Sequence, residues 1–217
     1  MLVELSLIVA LAGGQAPAPK VPVPPPPAAL VGFWESEATS RGGIGTALLI
    51  NADGSCDFTV LVKVDFKYTY DAGKLVFAAD AQGTPETTLD ATLTGDTFVV
   101  KPPVGEAITK TRVGAVEDAQ RPLLGVWRYP HATGGTAWER YGPDGTMRFR
   151  LATTERPSTC TVTGGRLAIV SPQMKTDARF EVKGDELRLF GASDEARLFR
   201  RIAGGRWYGR SDLTPPK

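Results

Sequence analysis

Six kinds of residue in this chain could carry chemistry, and their spacing rules out most of it. His131 is the only histidine and lies in a Tyr129-Pro130-His131-Ala132-Thr133-Gly134-Gly135 loop with no serine or cysteine motif around it. One imidazole cannot build a zinc site alone, so no metal ligands are assigned and His131 is read as a solvated loop side chain. Gly42-Gly43-Ile44-Gly45 lies between strand-like segments, with no helix to receive a phosphate. The carboxylates are scattered, with no pair set for glycoside chemistry. Neither cysteine has a histidine partner in its neighbourhood, which a catalytic thiol needs. Glu139 shares strand parity with Tyr141. It is expected either to face inward, where it would meet an arginine or hold a ligand, or to sit at a rim in water. Glu139 and Tyr141 are therefore the candidate ligand-binding residues. No nucleophile, base and orienting group assemble, so the expectation is a protein that is not an enzyme, with no catalytic residues and no cofactor.

The elements that must position these residues are strands. Phe58, Val60, Val62, Val64, Phe66, Tyr68 and Tyr70 alternate with polar residues, broken only at Leu61. That run exceeds a usual strand, so a tight turn is expected near Lys63 to Asp65, and at Glu155-Arg156-Pro157-Ser158 in the corresponding later segment. Met147, Phe149 and Leu151 alternate with Arg148 and Arg150, and Asp-Gly, Gly-Gly and Gly-Asp pairs punctuate the chain as hairpins require.

The same unit is written twice. Leu30-Val31-Gly32-Phe33-Trp34 recurs as Leu123-Leu124-Gly125-Val126-Trp127, and Gly45-Thr46-Ala47 as Gly135-Thr136-Ala137. Asp53-Gly54 matches Asp144-Gly145, Gly73-Lys74-Leu75 matches Gly165-Arg166-Leu167, and Gly95-Asp96 matches Gly184-Asp185. Both units close on a basic apolar end, Arg112-Val113 and Arg201-Ile202. The predicted organisation is an apolar signal-like segment over 1–16, a Pro-rich linker over 17–29, repeats over 30–114 and 122–204, and a C-terminal tail over 205–217. Each repeat holds about seven short strands, and closing such a meander into an antiparallel up-and-down barrel removes its edges. The expected fold is all-β, two tandem small barrels. Cys56 and Cys160 would then point into the cores of different units. A bridge would need their α-carbons within about 7 Å, so both are read as buried free thiols.

A Gly-x-Trp entering the first strand with an Arg on the last resembles the signature of the calycin superfamily, and the unit is similar to the short lipocalin-like domains of exported bacterial proteins. The resemblance implies that the Trp closes one end of a barrel with the Arg against its ring. Carried over, Trp34 would meet Arg112, and Trp127 would meet Arg201 or Arg200. These strands are much shorter than those of true lipocalins. Because eight-stranded barrels are just wide enough to fill with side chains, solid interiors are expected, with any cleft at the seam between units.

Leu5 to Gly14 is an apolar run too short to span a bilayer, followed by small residues at Gly14 and Ala16. The sequence APAPKVPVPPPPAA after it favours extended polyproline. Export is expected, to the periplasm, the envelope or the medium. The chain carries 25 Lys plus Arg against 24 Asp plus Glu. The repeats differ, however: 30–114 has 7 basic and 11 acidic groups, net −4, and 122–204 has 13 and 9, net +4. That asymmetry fits units docked by complementary potential, an anionic surface such as lipid headgroups in peripheral membrane association, or two diverged solvated faces. Arg206-Trp207-Tyr208-Gly209-Arg210 either stacks on a sugar, base or partner, or packs back on the domain. The functional expectation is a monomer that binds a small apolar or amphipathic ligand at a barrel mouth or inter-domain cleft, and no nucleic acid. The alternative is a structural module whose solid barrels contact envelope protein or polymer.

Overall fold

The computed structural model describes residues 25–40, 42–79, 85–192 and 195–209. The signal-like segment, most of the Pro-rich linker and the end of the tail lie outside them. The described residues form fourteen antiparallel strands and no helix, seven to each repeat. The first repeat gives β1 (Gly32–Ser36), β2 (Ile44–Ile50), β3 (Ser55–Asp71), β4 (Lys74–Phe77), β5 (Thr87–Thr94), β6 (Thr97–Lys101) and β7 (Ile108–Val113). The second gives β8 (Gly125–Pro130), β9 (Thr136–Tyr141), β10 (Thr146–Thr163), β11 (Arg166–Ser171), β12 (Met174–Lys183), β13 (Glu186–Phe190) and β14 (Ala196–Arg201).

Each strand pairs with its neighbours in sequence, and β1 pairs with β14, so the hydrogen-bonded order closes on itself. One additional pairing divides that ring: β3 runs antiparallel to β10, from Ser55 opposite Thr159 to Lys67 opposite Thr146. Two closed circuits of eight strands result. The first takes β14, β1, β2, the first half of β3, the second half of β10, and β11 to β13. The second takes the second half of β3, β4 to β9, and the first half of β10. Repeat and circuit therefore do not coincide: each circuit begins in one repeat and is completed by the other.

This corrects the two turns expected from sequence. Lys63 lies in unbroken strand opposite Arg150, and Glu155 opposite Thr59. Lys63-Val64-Asp65 holds no glycine or proline to force a turn, and continuing as strand gives each long segment a partner along its length. Pro157 is tolerated for a geometric reason. The Cys160 amide donates to the Gly54 carbonyl, and the alternation of an antiparallel ladder then turns position 157 away from β3. Between the end of β9 pairing at Leu151 and the start of β11 pairing at Thr159, β10 has no second strand neighbour among the described residues, so the missing N–H breaks no ladder bond there.

The exchange also overturns the reading of the cysteines. Cys56 on β3 and Cys160 on β10 sit on adjacent strands of one circuit, with α-carbons 5.8 Å apart, and form a disulfide. Separate cores for the two cysteines would require each repeat to close alone, which the β3–β10 pairing prevents. The bridge lies inside the first circuit's core with Leu30, Trp34, Leu48, Leu167, Leu187 and Phe199. The second core is aromatic: Phe98, Trp127 and Tyr141, with Tyr68, Tyr70 and Phe149 against them.

The closure residues exchange partners for the same reason. Trp34 lies opposite Arg201 and Trp127 opposite Arg112, so each Trp meets the Arg of the other repeat. The Arg201 guanidinium stands 4.1 Å from the Trp34 ring centroid, and that of Arg112 4.2 Å from Trp127. Each indole N–H donates to the carbonyl four residues earlier, Leu30 or Leu123. The glycine of the motif makes room for this packing: a Cβ on Gly32, whose φ is +142°, would stand 2.5 Å from an Arg201 nitrogen.

Candidate functional site

Glu139 faces the interior of the second circuit, 4% exposed, beside Tyr141 at 0%. Its partner is a lysine, a residue the sequence reading passed over. Lys110 Nζ donates to Glu139 Oε2 at 2.5 Å, and the Tyr141 hydroxyl donates to the same oxygen at 2.7 Å. The ammonium stands between 5.3 and 5.8 Å from the rings of Tyr129, Phe98 and Tyr141. Lys110 lies two residues from Arg112 on β7, hence on the same face; that parity was the available signal. Burial, then the charge on Glu139, pushes the Tyr141 and Tyr129 phenols far above their ordinary range, so both stay neutral hydrogen-bonding groups. The first circuit shows what these positions otherwise hold. Trp34 pairs with Leu48 as Trp127 pairs with Glu139, and the strand carrying Arg201 places Phe199 where Lys110 stands. Where the first circuit has a leucine and a phenylalanine, the second has a buried ion pair.

A second polar constellation lies at the seam. The outer faces of β1–β2 and β8–β9 meet over the middle of β3–β10, where Phe33, Ala47, Leu61 and Trp138 are buried. The C-terminal tail packs back into this space. Tyr208 meets Phe33 edge-on at 5.3 Å, Trp138 Nε1 donates to the Gly209 carbonyl, and Arg206 pairs with Glu155 at 2.7 Å. Beside the tail the floor is ionic. Arg150 directs its fork at both oxygens of Glu35 (2.9–3.1 Å) and its remaining nitrogen at Asp65 (2.6 Å). Lys63 stands 3.9 Å from Glu35. Burial lowers the affinity of Lys63 for its proton, a pull that Glu35 opposes.

Above this floor opens a cleft of about 540 Å³. Its lining comes from β1, β14 and Ile202-Ala203, from Arg140, Pro143 and Arg148, and from Trp207. Six of its side chains are cationic and four are carboxylates. Of the sequence candidates, Glu139 and Tyr141 come together in the closed interior and Arg201 reaches the cleft. His131 stays in its loop, bonded to Thr133. Among the described residues no group of three or more His, Cys, Asp or Glu is placed to hold a metal ion. No family model, curated protein or solved structure matches the chain.

Proposed function

We propose that this chain is an exported, non-enzymatic binding protein of calycin-like character. In this reading two eight-stranded barrels share a two-stranded ribbon and take a small amphipathic ligand in the cleft between them. The observation that carries the reading is the contrast between that open cleft and the two interiors. Trp34, Leu48, Leu167 and Leu187 in one core and Phe98, Trp127 and Tyr141 in the other are fully buried, and the Lys110–Glu139 pair inside the second has its charges matched within itself. Export is supported by the buried Cys56–Cys160 bridge, a feature at home in an oxidising compartment.

Packed interiors equally favour the second reading, a solid module that contacts envelope protein or polymer, and one experiment separates the two. The neutral fluorescent amphiphile 1-N-phenylnaphthylamine is titrated into the chain and into Ala203→Trp, which fills the cleft from an exposed wall position. Saturable binding lost in the variant, with the melting temperature retained, supports the cleft. Binding equal in both proteins places the ligand elsewhere, and no binding in either leaves the interaction module as the better account.

A further inference from the structure

The charges around the cleft specify its ligand further, on the reading that the cleft is the binding site. The four carboxylates of its wall are all engaged. Glu35 and Asp65 hold Arg150, with Lys63 beside Glu35. Asp144 pairs with Arg148 at 2.9 Å, and Glu37 with Arg200. Two arginines remain whose acidic partners are not part of the wall. Arg201 is spoken for, stacked on Trp34 and bonded to the carbonyls of Val31 and Ala29. Arg140 is different. Its partner Glu117 stands 3.8 Å away, and the two side chains are 34% and 43% exposed. An exposed pair at that separation holds the guanidinium weakly.

The Arg148–Asp144 and Arg200–Glu37 pairs are also solvent-exposed, so an incoming anion could draw on all three arginines at small cost. A recess with surplus cations concentrates positive potential, and the guanidinium fork matches a planar or tetrahedral oxyanion. Trp207, Ile202 and Pro143 supply apolar surface in the same recess.

We infer that the seam cleft selects an amphipathic anion: a carboxylate, sulfonate or phosphate carried on an apolar body, with Arg140 as the residue that reads the charge. The test compares 8-anilino-1-naphthalenesulfonate with 1-N-phenylnaphthylamine, the same skeleton with and without the sulfonate, on the full chain. The sulfonate is expected to bind about tenfold tighter, the factor for one hydrogen bond to a charged group. That preference should shrink as salt is raised. Arg140→Gln should erase the preference while leaving the neutral probe's affinity unchanged, and Arg140→Lys should restore part of it. Equal affinities for the two probes, both lost in Ala203→Trp, would overturn the anion selectivity and leave the cleft standing. A preference that survives Arg140→Gln undiminished would overturn the role of Arg140. Failure of both probes to bind, or their indifference to Ala203→Trp, would remove the cleft and this inference with it.

Discussion

Lys110 and Glu139 form a salt bridge with side chains about 5% exposed, and a pair so placed is costly to break and cheap to replace. Glu139→Ala strands the ammonium among aromatic rings and should cost about 3–5 kcal/mol in urea denaturation. Lys110→Met with Glu139→Leu copies the apolar character of the other circuit and should recover most of that loss, the Tyr141 hydroxyl left without its acceptor costing about 1–3 kcal/mol. A double variant as unstable as the single one would mean the pair fits its surroundings better than burial alone allows. The phenols make a second prediction. Burial raises the pKa of Tyr129, Tyr141 and Tyr208 above the ordinary value near 10, with Glu139 or Glu35 adding to it. Below pH 10 both folded and unfolded chains keep these protons. Above it the unfolded chain releases them first, so stability falls by about 1.4 kcal/mol per pH unit for each phenol. Lys63, lowered mainly by burial, works the other way below its ordinary 10.5, one group against four once the half-buried Tyr68, also raised by burial, is counted. The urea midpoint should therefore drop steeply between about pH 10 and 11, and a flat profile would contradict the burial of these hydroxyls. At this scale the sequence was informative about direction and poor about partners. Parity allowed Glu139 to face inward without deciding between that and a rim, and nothing local named Lys110, which is distant in the chain. The Gly45-Thr46-Ala47 match even misaligns the repeats by one residue, setting Leu49 against Glu139 where strand pairing sets Leu48.

Strand character and order were legible at the element scale, because alternation and turn residues are local signals. Where β3 goes after Lys63 was not, because a strand that folds back on itself and one that continues into a partner show the same alternation. Nothing local distinguished them, since Asp65 is compatible with a turn, and the proline at 157 argued the wrong way until the ladder position of its amide was known. The disulfide follows from this choice, since only the β3–β10 pairing brings Cys56 and Cys160 onto neighbouring strands. It closes a loop of 104 residues between the two elements that hold the circuits together. By loop-closure entropy, Cys56→Ala with Cys160→Ala should lower stability by about 4–5 kcal/mol, less whatever the small cavity adds or relaxes. Denaturation of that variant beside the oxidised chain measures it. A loss below about 1 kcal/mol would mean the unfolded chain already keeps the two segments close.

Interleaved circuits change what a local injury does to the whole molecule. If each repeat closed alone, the chain would be two folding units joined by a linker, and damage to one would leave the other standing. Here β3 and β10 each serve both circuits, Trp34 is capped by an arginine 167 positions later, and Trp127 by one from the first repeat. Neither circuit can open at the ribbon without exposing backbone of the other. Trp34→Ala removes a fully buried indole and its hydrogen bond to Leu30, a loss of about 3–5 kcal/mol. That loss should appear in a single cooperative transition that also carries the Trp127 side of the molecule, and Trp127→Ala should shift the same transition rather than a separate one. Calorimetry gives the decisive reading, because one transition whose calorimetric and van't Hoff enthalpies agree means the circuits melt together. Two transitions, only one of them moved by each substitution, would mean that the shared ribbon does not couple the halves and that each circuit is stable without its neighbour.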